Sequence, residues 1–104
     1  MVVIFFNVKE ARDYLLKHRF VYTLRKERAA GLAEARTGSY YKFKSLGPVK
    51  VIFVTRFTSL EPSKLRLYEM HSGFLSAEKW LDAAHQLKNG LNDVDCLYRV
   101  EMVD

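Results

Sequence analysis

The sequence predicts an α+β domain in which two or three peripheral helices cover a small β-sheet of about five or six strands, mostly antiparallel and curling toward a barrel. Short β-branched and aromatic segments alternate with turn residues, and two other segments have the apolar spacing of amphipathic helices. The predicted order is strand, helix, three strands, two helices, strand, which is typical of a small sheet with helices at its ends. At 104 residues the chain has room for a single domain, residues 1–104.

The N-terminal segment predicts a strand, a helix and a second strand. Val2–Phe6 is a continuous apolar run, typical of a buried strand. Asn7, with Glu10 three residues later, resembles a capping box and predicts a helix that runs to about His18. Arg19–Arg25 then alternates between apolar and polar residues, which predicts the second strand.

The middle of the chain predicts a loop and two further strands. Lys26–Arg36 is polar and rich in alanine, so we expect a mobile loop there, followed by a turn at Thr37–Gly38. Ser39–Lys44 predicts the third strand. Leu46–Pro48 predicts a break before Val49–Phe57, the longest strand candidate, which has two partly apolar faces.

The C-terminal part predicts two helices and a last strand. Glu61–Ser63 opens a helix that reaches about Met70, with proline in its first turn. Ser76 caps a second helix that ends at Asn89–Gly90, before the strand Val94–Val103. The second helix has one apolar face, on which core packing is the favoured role of the tryptophan: Ala77, Trp80, Leu81, Ala84 and Leu87.

Composition excludes several classes of protein. No apolar run approaches the roughly 20 residues of a membrane span or resembles a signal peptide, so we expect a cytoplasmic protein that does not enter a membrane. Cys96 is the only cysteine and is expected to be a buried, inert thiol. His18, His71 and His85 lack the spacing of zinc ligands, so neither a metal nor a cofactor is expected. Scarce asparagine and glutamine beside many charged residues indicate a thermophilic source.

The positive charge of the chain is concentrated in residues 17–50. This segment contains nine basic residues and only two acidic ones, Glu27 and Glu34. Its charge is therefore +7, whereas the whole chain carries +5. The basic residues are Lys17, Arg19, Arg25, Lys26, Arg28, Arg36, Lys42, Lys44 and Lys50. A segment of this kind indicates a partner that carries phosphates, such as RNA or another single-stranded nucleic acid.

One predicted strand face carries Arg19, Thr23 and Arg25. Arginine presents a planar fork of donors that suits phosphate oxygens and base edges, and the threonine hydroxyl between them can bond a base or activate a water. The alternative is a solvated face whose arginines pair with Glu27 or Glu34.

The next predicted strand carries Tyr40, Lys42 and Lys44 on one face. An aromatic ring flanked by lysines suits a single-stranded backbone with a base stacked on the ring, but lysines also protect the edge strand of a sheet against aggregation. Tyr22 is a second candidate for stacking, or else a core residue. The intervening loop would complete a basic groove through Lys26, Arg28 and Arg36.

Three segments resemble the ASCH domain family. Leu15–Arg25 resembles its helix leading into a strand with a Thr-Leu-Arg ending, and Thr37–Ser39 resembles its turn before the next strand. Ser72–Phe74, followed by Glu78 and Trp80, is similar to a helical insert before the last strand. The resemblance implies a PUA-like β-barrel with peripheral helices and an RNA-binding cleft between barrel and helices.

The resemblance also implies an enzymatic alternative, because one bacterial branch of the family hydrolyses N4-acetylcytidine. Thr23 matches the threonine of that branch, and Glu78 is the candidate for its glutamate. The position of its lysine falls on Phe20 with Arg19 beside it, and Ser39 replaces an acidic residue. Both departures argue against amidohydrolase activity, since arginine is a poor proton shuttle.

The sequence therefore predicts an RNA-binding domain, with two alternatives: a small amidohydrolase acting on a modified nucleoside through Thr23 and Glu78, and a basic module that binds an acidic protein. The predicted nucleic-acid site comprises Lys17, Arg19, Tyr22, Thr23, Arg25, Lys26, Arg28, Arg36, Tyr40, Lys42 and Lys44.

Overall fold

A five-stranded sheet organises the part of the chain that the computed structural model describes, residues 2–87 and 95–103. In chain order the elements are β1 (Val3–Phe5), α1 (Lys9–His18), β2 (Phe20–Arg25), β3 (Gly31–Gly38), β4 (Phe43–Arg56), α2 (Pro62–Leu65), a 3₁₀ turn (Glu69–His71), α3 (Ala77–Leu87) and β5 (Cys96–Met102). The predicted α+β class, with five strands and three peripheral helices, is confirmed.

The strands lie in the order β1-β3-β4-β5-β2. β1 runs parallel to β3, with Val3 opposite Glu34, and the other neighbours are antiparallel. β1 and β2 are the two edges of the sheet, and the described residues contain no ladder between them, so the sheet is open. α1 connects these two edges and buries Ala11 and Leu15 in the core.

Helices cover both faces of the sheet. Under α1 lies a core that includes Cys96, Tyr98 and Val100 from alternate positions of β5. The other face carries Leu97 and meets α2 and α3 in a second core: Leu24, Leu65, Ala77, Trp80, Leu81, Ala84 and Leu97. The period of two along β5 thus divides its side chains between two cores. The predictions of a buried Cys96 and of a core Trp80 are confirmed.

The predicted mobile loop at residues 26–36 is wrong in its second half, because β3 begins at Gly31. Ala33 and Ala35 face the core while Glu34 and Arg36 lie on the other side, which is the alternation of a strand. Alanine and glutamate are depleted in strands, so residue preference hid this pattern. Pairing with β1 and β4 outweighs that preference.

The predicted strand at residues 39–44 is wrong over its first four residues, which form a tight turn between β3 and β4. The amide of Ser39 donates to the carbonyl of Lys42 at 2.7 Å, and the amide of Lys42 donates to Ser39 Oγ at 3.0 Å. β4 then begins at Phe43.

The predicted break at Leu46–Pro48 lies inside β4, which continues to Arg56. The ladder shifts between Ala35 and Arg36, so that Gly47 and then Ser45 are opposite these successive residues of β3. Leu46 is therefore the extra residue of a β-bulge, and Gly47 takes a positive φ of 112° beside it. A bulge accommodates glycine and proline without ending the strand.

The predicted Asn7 cap of α1 is wrong, because Val8 occupies the cap position and makes no side-chain bond there. The predicted helix at residues 61–70 is shorter than expected, since α2 ends at Leu65. The cap of α3 is confirmed, because Ser76 Oγ accepts from the amide of Lys79 at 3.2 Å.

The predicted helix end at Asn89–Gly90 and strand start at Val94 lie outside the described residues. No helix in residues 2–87 or 95–103 is both long and apolar enough to cross a membrane.

Candidate functional site

A cavity of about 380 Å³ lies where both edge strands meet α3. Its walls come from the end of β1 and the start of α1, from the end of β2 and the loop after it, and from α3 with the segment before it. The lining residues are Phe5, Phe6, Asn7, Val8, Ala11, Thr23, Leu24, Arg25, Lys26, Glu27, Arg28, Phe74, Trp80, Ala83 and Ala84. Four predicted site residues are among them: Thr23, Arg25, Lys26 and Arg28.

β2 delivers Thr23 and Arg25 to the cavity from one face. They stand two residues apart, and Arg25 Nε donates to Thr23 Oγ1 at 3.0 Å. Thr23 is only 7% exposed, and Val21 on the same face is fully buried. The guanidinium of Arg25 lies over the ring of Phe6, with its Cζ 4.7 Å from the ring centroid. The polar face of β2 therefore looks inward at this end of the strand.

Arg28 brings a second cation to the cavity. Its Nη2 donates to the carbonyl of Val3 at 2.7 Å, which ties the loop after β2 to β1. Its Nε is buried and has no hydrogen-bond acceptor among the described residues. Burial, and after it the neighbouring charge of Arg28, lower the pKa of Arg25 to about 10. Both guanidiniums remain positive at neutral pH.

No carboxylate in the described part of the chain pairs with Arg25 or Arg28. The nearest acidic residue along the chain, Glu27, lines the cavity but pairs with Arg56 at 3.5 Å. Two like charges in one partly enclosed space repel each other, so an anion bound between them would be stabilised.

Aromatic rings form the rest of the wall. Trp80 is 3% exposed and belongs to the second core, and the cavity borders it. Phe74 packs against both cores and is positioned by Ser72, whose Oγ accepts from the amide of Phe74 at 3.1 Å. The site thus combines a cationic side on β2 and its loop with an aromatic side before and on α3.

Lys17, Arg19 and Tyr22 do not line the cavity. Lys17 and Arg19 are exposed at the C-terminal end of α1, beyond the end of β2 that is farther from the cavity. Tyr22 faces the other side of β2, where its ring centroid lies 5.1 Å from that of Tyr68 and its hydroxyl accepts from Arg99 at 3.3 Å. The structure therefore separates them from Thr23 and Arg25.

The remaining predicted basic residues lie on β3, on β4 and in the turn between these strands. Arg36 pairs with Glu34, and its guanidinium covers the ring of Phe43 at 3.7 Å from the centroid. The turn holds Tyr40 and Lys42, and β4 holds Lys44; all three are exposed. None of these residues lines the cavity.

Glu78, the candidate for a catalytic glutamate, does not line the cavity with Thr23. Its carboxylate accepts two hydrogen bonds from Arg66, at 2.7 and 2.9 Å. These bonds hold the pKa of Glu78 below its ordinary value. Among the described residues no group of three His, Cys, Asp or Glu side chains is placed to hold a metal ion.

Sequence reasoning missed the contributions of Phe6, Asn7 and Phe74 to the site. Asn7 was assigned to a helix cap, but its amide bonds the backbone of Gly38 instead. The family resemblance drew attention to the segment that contains Phe74. Comparison with protein-family models, curated proteins and solved structures finds no match to this chain.

Proposed function

We propose that this chain is an RNA-binding domain of PUA-like architecture that takes one unpaired nucleotide of a single strand into the cavity. The observation that supports this most is the placement of two arginines beside aromatic rings in one space, neither of them paired with a carboxylate of residues 2–87 or 95–103. Proteins recognise single-stranded RNA by stacking bases on aromatic or arginine planes and by neutralising phosphates. The strand and helix segments that resemble ASCH domains support the same proposal.

Each part of the cavity has a role in this proposal. Arg25 and Arg28 bind the phosphate, since a guanidinium offers paired donors to its oxygens. The rings of Phe74 and Trp80 contact the base. Thr23 Oγ1 accepts from Arg25, so the proton of its hydroxyl is left to donate to an acceptor on the base.

The volume supports one nucleotide rather than a duplex. Small-molecule sites in proteins span roughly 300 to 1,000 Å³, and this cavity lies at the lower end of that range with about 380 Å³. A base can enter such a space only when it is unpaired. The exposed basic residues outside the cavity, including Lys17 and Lys44, add long-range attraction for the strand.

The emission of Trp80 is a direct test, because Trp80 is the only tryptophan and lies in the cavity wall. Titration with a short single-stranded oligoribonucleotide at low salt should change this emission saturably. The logarithm of the binding constant should fall with the logarithm of salt concentration, by roughly 0.7 per phosphate contact. Absence of binding at low salt, or an affinity that does not change with salt concentration, would show the proposal to be wrong.

A pair of charge variants separates the cavity from general attraction. Arg25→Gln removes a cation from the cavity, whereas Lys64→Gln removes one from α2, where Lys64 Nζ donates to Ser59 Oγ at 2.9 Å. We expect Arg25→Gln to weaken binding roughly tenfold to a hundredfold, as loss of a charged hydrogen bond does. Lys64→Gln should change it less than twofold.

The same pair decides between RNA and the acidic-protein alternative. If both variants weaken binding equally, and polyglutamate displaces the oligonucleotide as well as RNA does, the surface attracts any polyanion. A basic module for an acidic protein would then describe the chain better than an RNA-binding domain.

A further inference from the structure

The turn between β3 and β4 exposes two neighbouring aromatic rings. Tyr40 is 73% exposed and Tyr41 is 91% exposed, and their rings meet edge to face with centroids 5.2 Å apart. Neither ring belongs to the two hydrophobic cores. Lys42 and Lys44 are exposed beside them, and neither pairs with a carboxylate of the described residues.

This turn is held in one shape although its side chains are exposed. Backbone and hydroxyl bonds between Ser39 and Lys42 close it. Gly38 enters it with a φ of 115°, and a Cβ at this position would stand only 2.4 Å from the carbonyl oxygen of Lys42. The tyrosines therefore project from a fixed support, which reduces the entropy cost of binding a flat ring.

Asn7 connects the turn to the cavity. Asn7 lines the cavity, and its side chain bonds both backbone groups of Gly38: Oδ1 accepts from the amide at 2.7 Å and Nδ2 donates to the carbonyl at 2.9 Å. Tyr40 follows Gly38 by two residues, so the chain between them spans at most about 7 Å. The turn that carries the exposed rings is thus joined through Gly38 to the wall to which Asn7 belongs.

We propose that the β3–β4 turn is a second subsite, where one ring of the Tyr40–Tyr41 pair stacks the base that adjoins the nucleotide in the cavity. Lys42 and Lys44 contact the phosphates there. This inference rests on the proposed function and extends it from one nucleotide to at least two contiguous ones. Phe43 takes no part, because the guanidinium of Arg36 covers its ring.

A strand of RNA fits this surface better than an acidic peptide does. Every base offers a flat face to an aromatic ring, whereas an acidic peptide would use the lysines and leave the two rings in water. The separation of the lysines from carboxylates leaves their charge for an anionic backbone.

The test compares uridine 5′-monophosphate with a short oligouridylate, using the emission of Trp80. The wild-type chain should bind the oligonucleotide more tightly than the mononucleotide, by roughly five- to a hundredfold, which stacking of one base provides. The double variant Tyr40→Ala/Tyr41→Ala should lose most of that gain and bind the mononucleotide as before. Leu67→Ala/Met70→Ala removes two other exposed side chains and should change neither affinity.

The outcomes separate the two proposals. Binding of neither ligand defeats the proposed function. If both ligands bind, and the double variant retains the full gain for the oligonucleotide, the second subsite is wrong while the nucleotide cavity stands. If polyglutamate binds the wild-type chain and loses affinity in the double variant as much as oligouridylate does, the turn recognises acidic chains and the inference is also wrong.

Discussion

The hydroxyl of Tyr98 holds the backbone of Arg28 by both of its polar groups. It accepts a hydrogen bond from the amide of Arg28 at 2.8 Å and donates one to its carbonyl oxygen at 3.0 Å. Tyr98 is buried on β5, seventy residues away along the chain. From the core, Tyr98 thus makes the hydrogen bonds that a neighbouring strand would otherwise make to the backbone of the loop after β2.

Removing this hydroxyl should loosen the loop and weaken the anion site together. Tyr98→Phe leaves the amide and the carbonyl of Arg28 without partners, which should cost about 1–3 kcal/mol of unfolding free energy in a urea titration. Affinity for an oligoribonucleotide should also fall, since Arg28 would no longer be held in place. Tyr22→Phe is the matched control: the hydroxyl of Tyr22 accepts a long hydrogen bond from Arg99 at 3.3 Å, and Tyr22 does not line the cavity. Equal effects of the two variants would show that the loop does not depend on Tyr98.

Asn7 offers a way to separate stability from binding. Asn7→Ala removes both hydrogen bonds to Gly38 and should lower the unfolding free energy by about 1–2 kcal/mol. Asn7→Asp keeps the acceptor for the amide of Gly38 but places a carboxylate oxygen against the carbonyl oxygen to which Nδ2 donates, so its loss should be comparable. The new carboxylate would lie in the wall of a cavity that also holds Arg25 and Arg28, and should neutralise part of their charge.

Binding should therefore distinguish the two Asn7 variants although their stabilities are similar. We expect Asn7→Asp to weaken oligonucleotide affinity more than Asn7→Ala does, although the two unfold at similar urea concentrations. If affinity simply follows stability in both variants, the charge of the cavity does not govern binding.

Alternation along β2 was sufficient to place Thr23 and Arg25 on one face, but not to tell whether that face looks inward or outward. An arginine and a threonine at alternate positions are typical of a solvated strand face. In this chain Thr23 and Arg25 lie inside, because the guanidinium of Arg25 extends into the cavity over the ring of Phe6. The cavity is formed by three segments that are distant in sequence, so no local pattern in β2 predicts it.

The missed strand and bulge have local causes. Ala33 and Ala35 are buried in the first core, and the weak strand preference of alanine concealed β3. Gly47 and Pro48 are typical of turns, and only the ladder with β3 shows that they belong to a bulge. The helix α3 and the strand β1 were predictable in kind because their apolar patterns are strong, and so was the cap at Ser76.

Gly73 fixes the aromatic wall against α1. It has a φ of 88°, and a Cβ there would stand 2.3 Å from the carbonyl oxygen of Glu10. Gly73→Ala should therefore separate the segment that carries Phe74 from α1, in addition to the strain of a positive φ. Gly31 is the matched control, since it has a φ of 110° and nothing within 4 Å of the added carbon.

Comparison of the two glycine variants separates the steric clash of the added Cβ from the strain of a positive φ. Gly31→Ala should lose about 1–2 kcal/mol of unfolding free energy from backbone strain alone. Gly73→Ala should lose more and should also shift the emission of Trp80, because Phe74 and Trp80 line the same cavity. Equal losses would mean that the segment before α3 moves away from α1 without cost.

Glu78 gives a prediction about pH. Arg66 holds the pKa of Glu78 below its ordinary value through two hydrogen bonds. Ionised Glu78 therefore contributes stability above the pKa that it has in the unfolded chain, and this contribution is lost as the pH falls. Glu78→Gln should be less stable than the wild-type chain near neutral pH, and the difference should shrink in acid.

A double-mutant cycle with Arg66→Gln measures this pair and tests the role of Glu78 at once. The coupling between the two positions should be small, because both side chains are about half exposed, and it should vanish as the pH is lowered. Glu78→Gln should leave oligonucleotide affinity unchanged, since Glu78 lies outside the cavity that holds Thr23. Release of cytidine from N4-acetylcytidine by the wild-type chain, abolished in Glu78→Gln, would contradict this and restore the amidohydrolase alternative. A coupling that persists in acid would show that the carboxylate charge is not what joins Glu78 to Arg66.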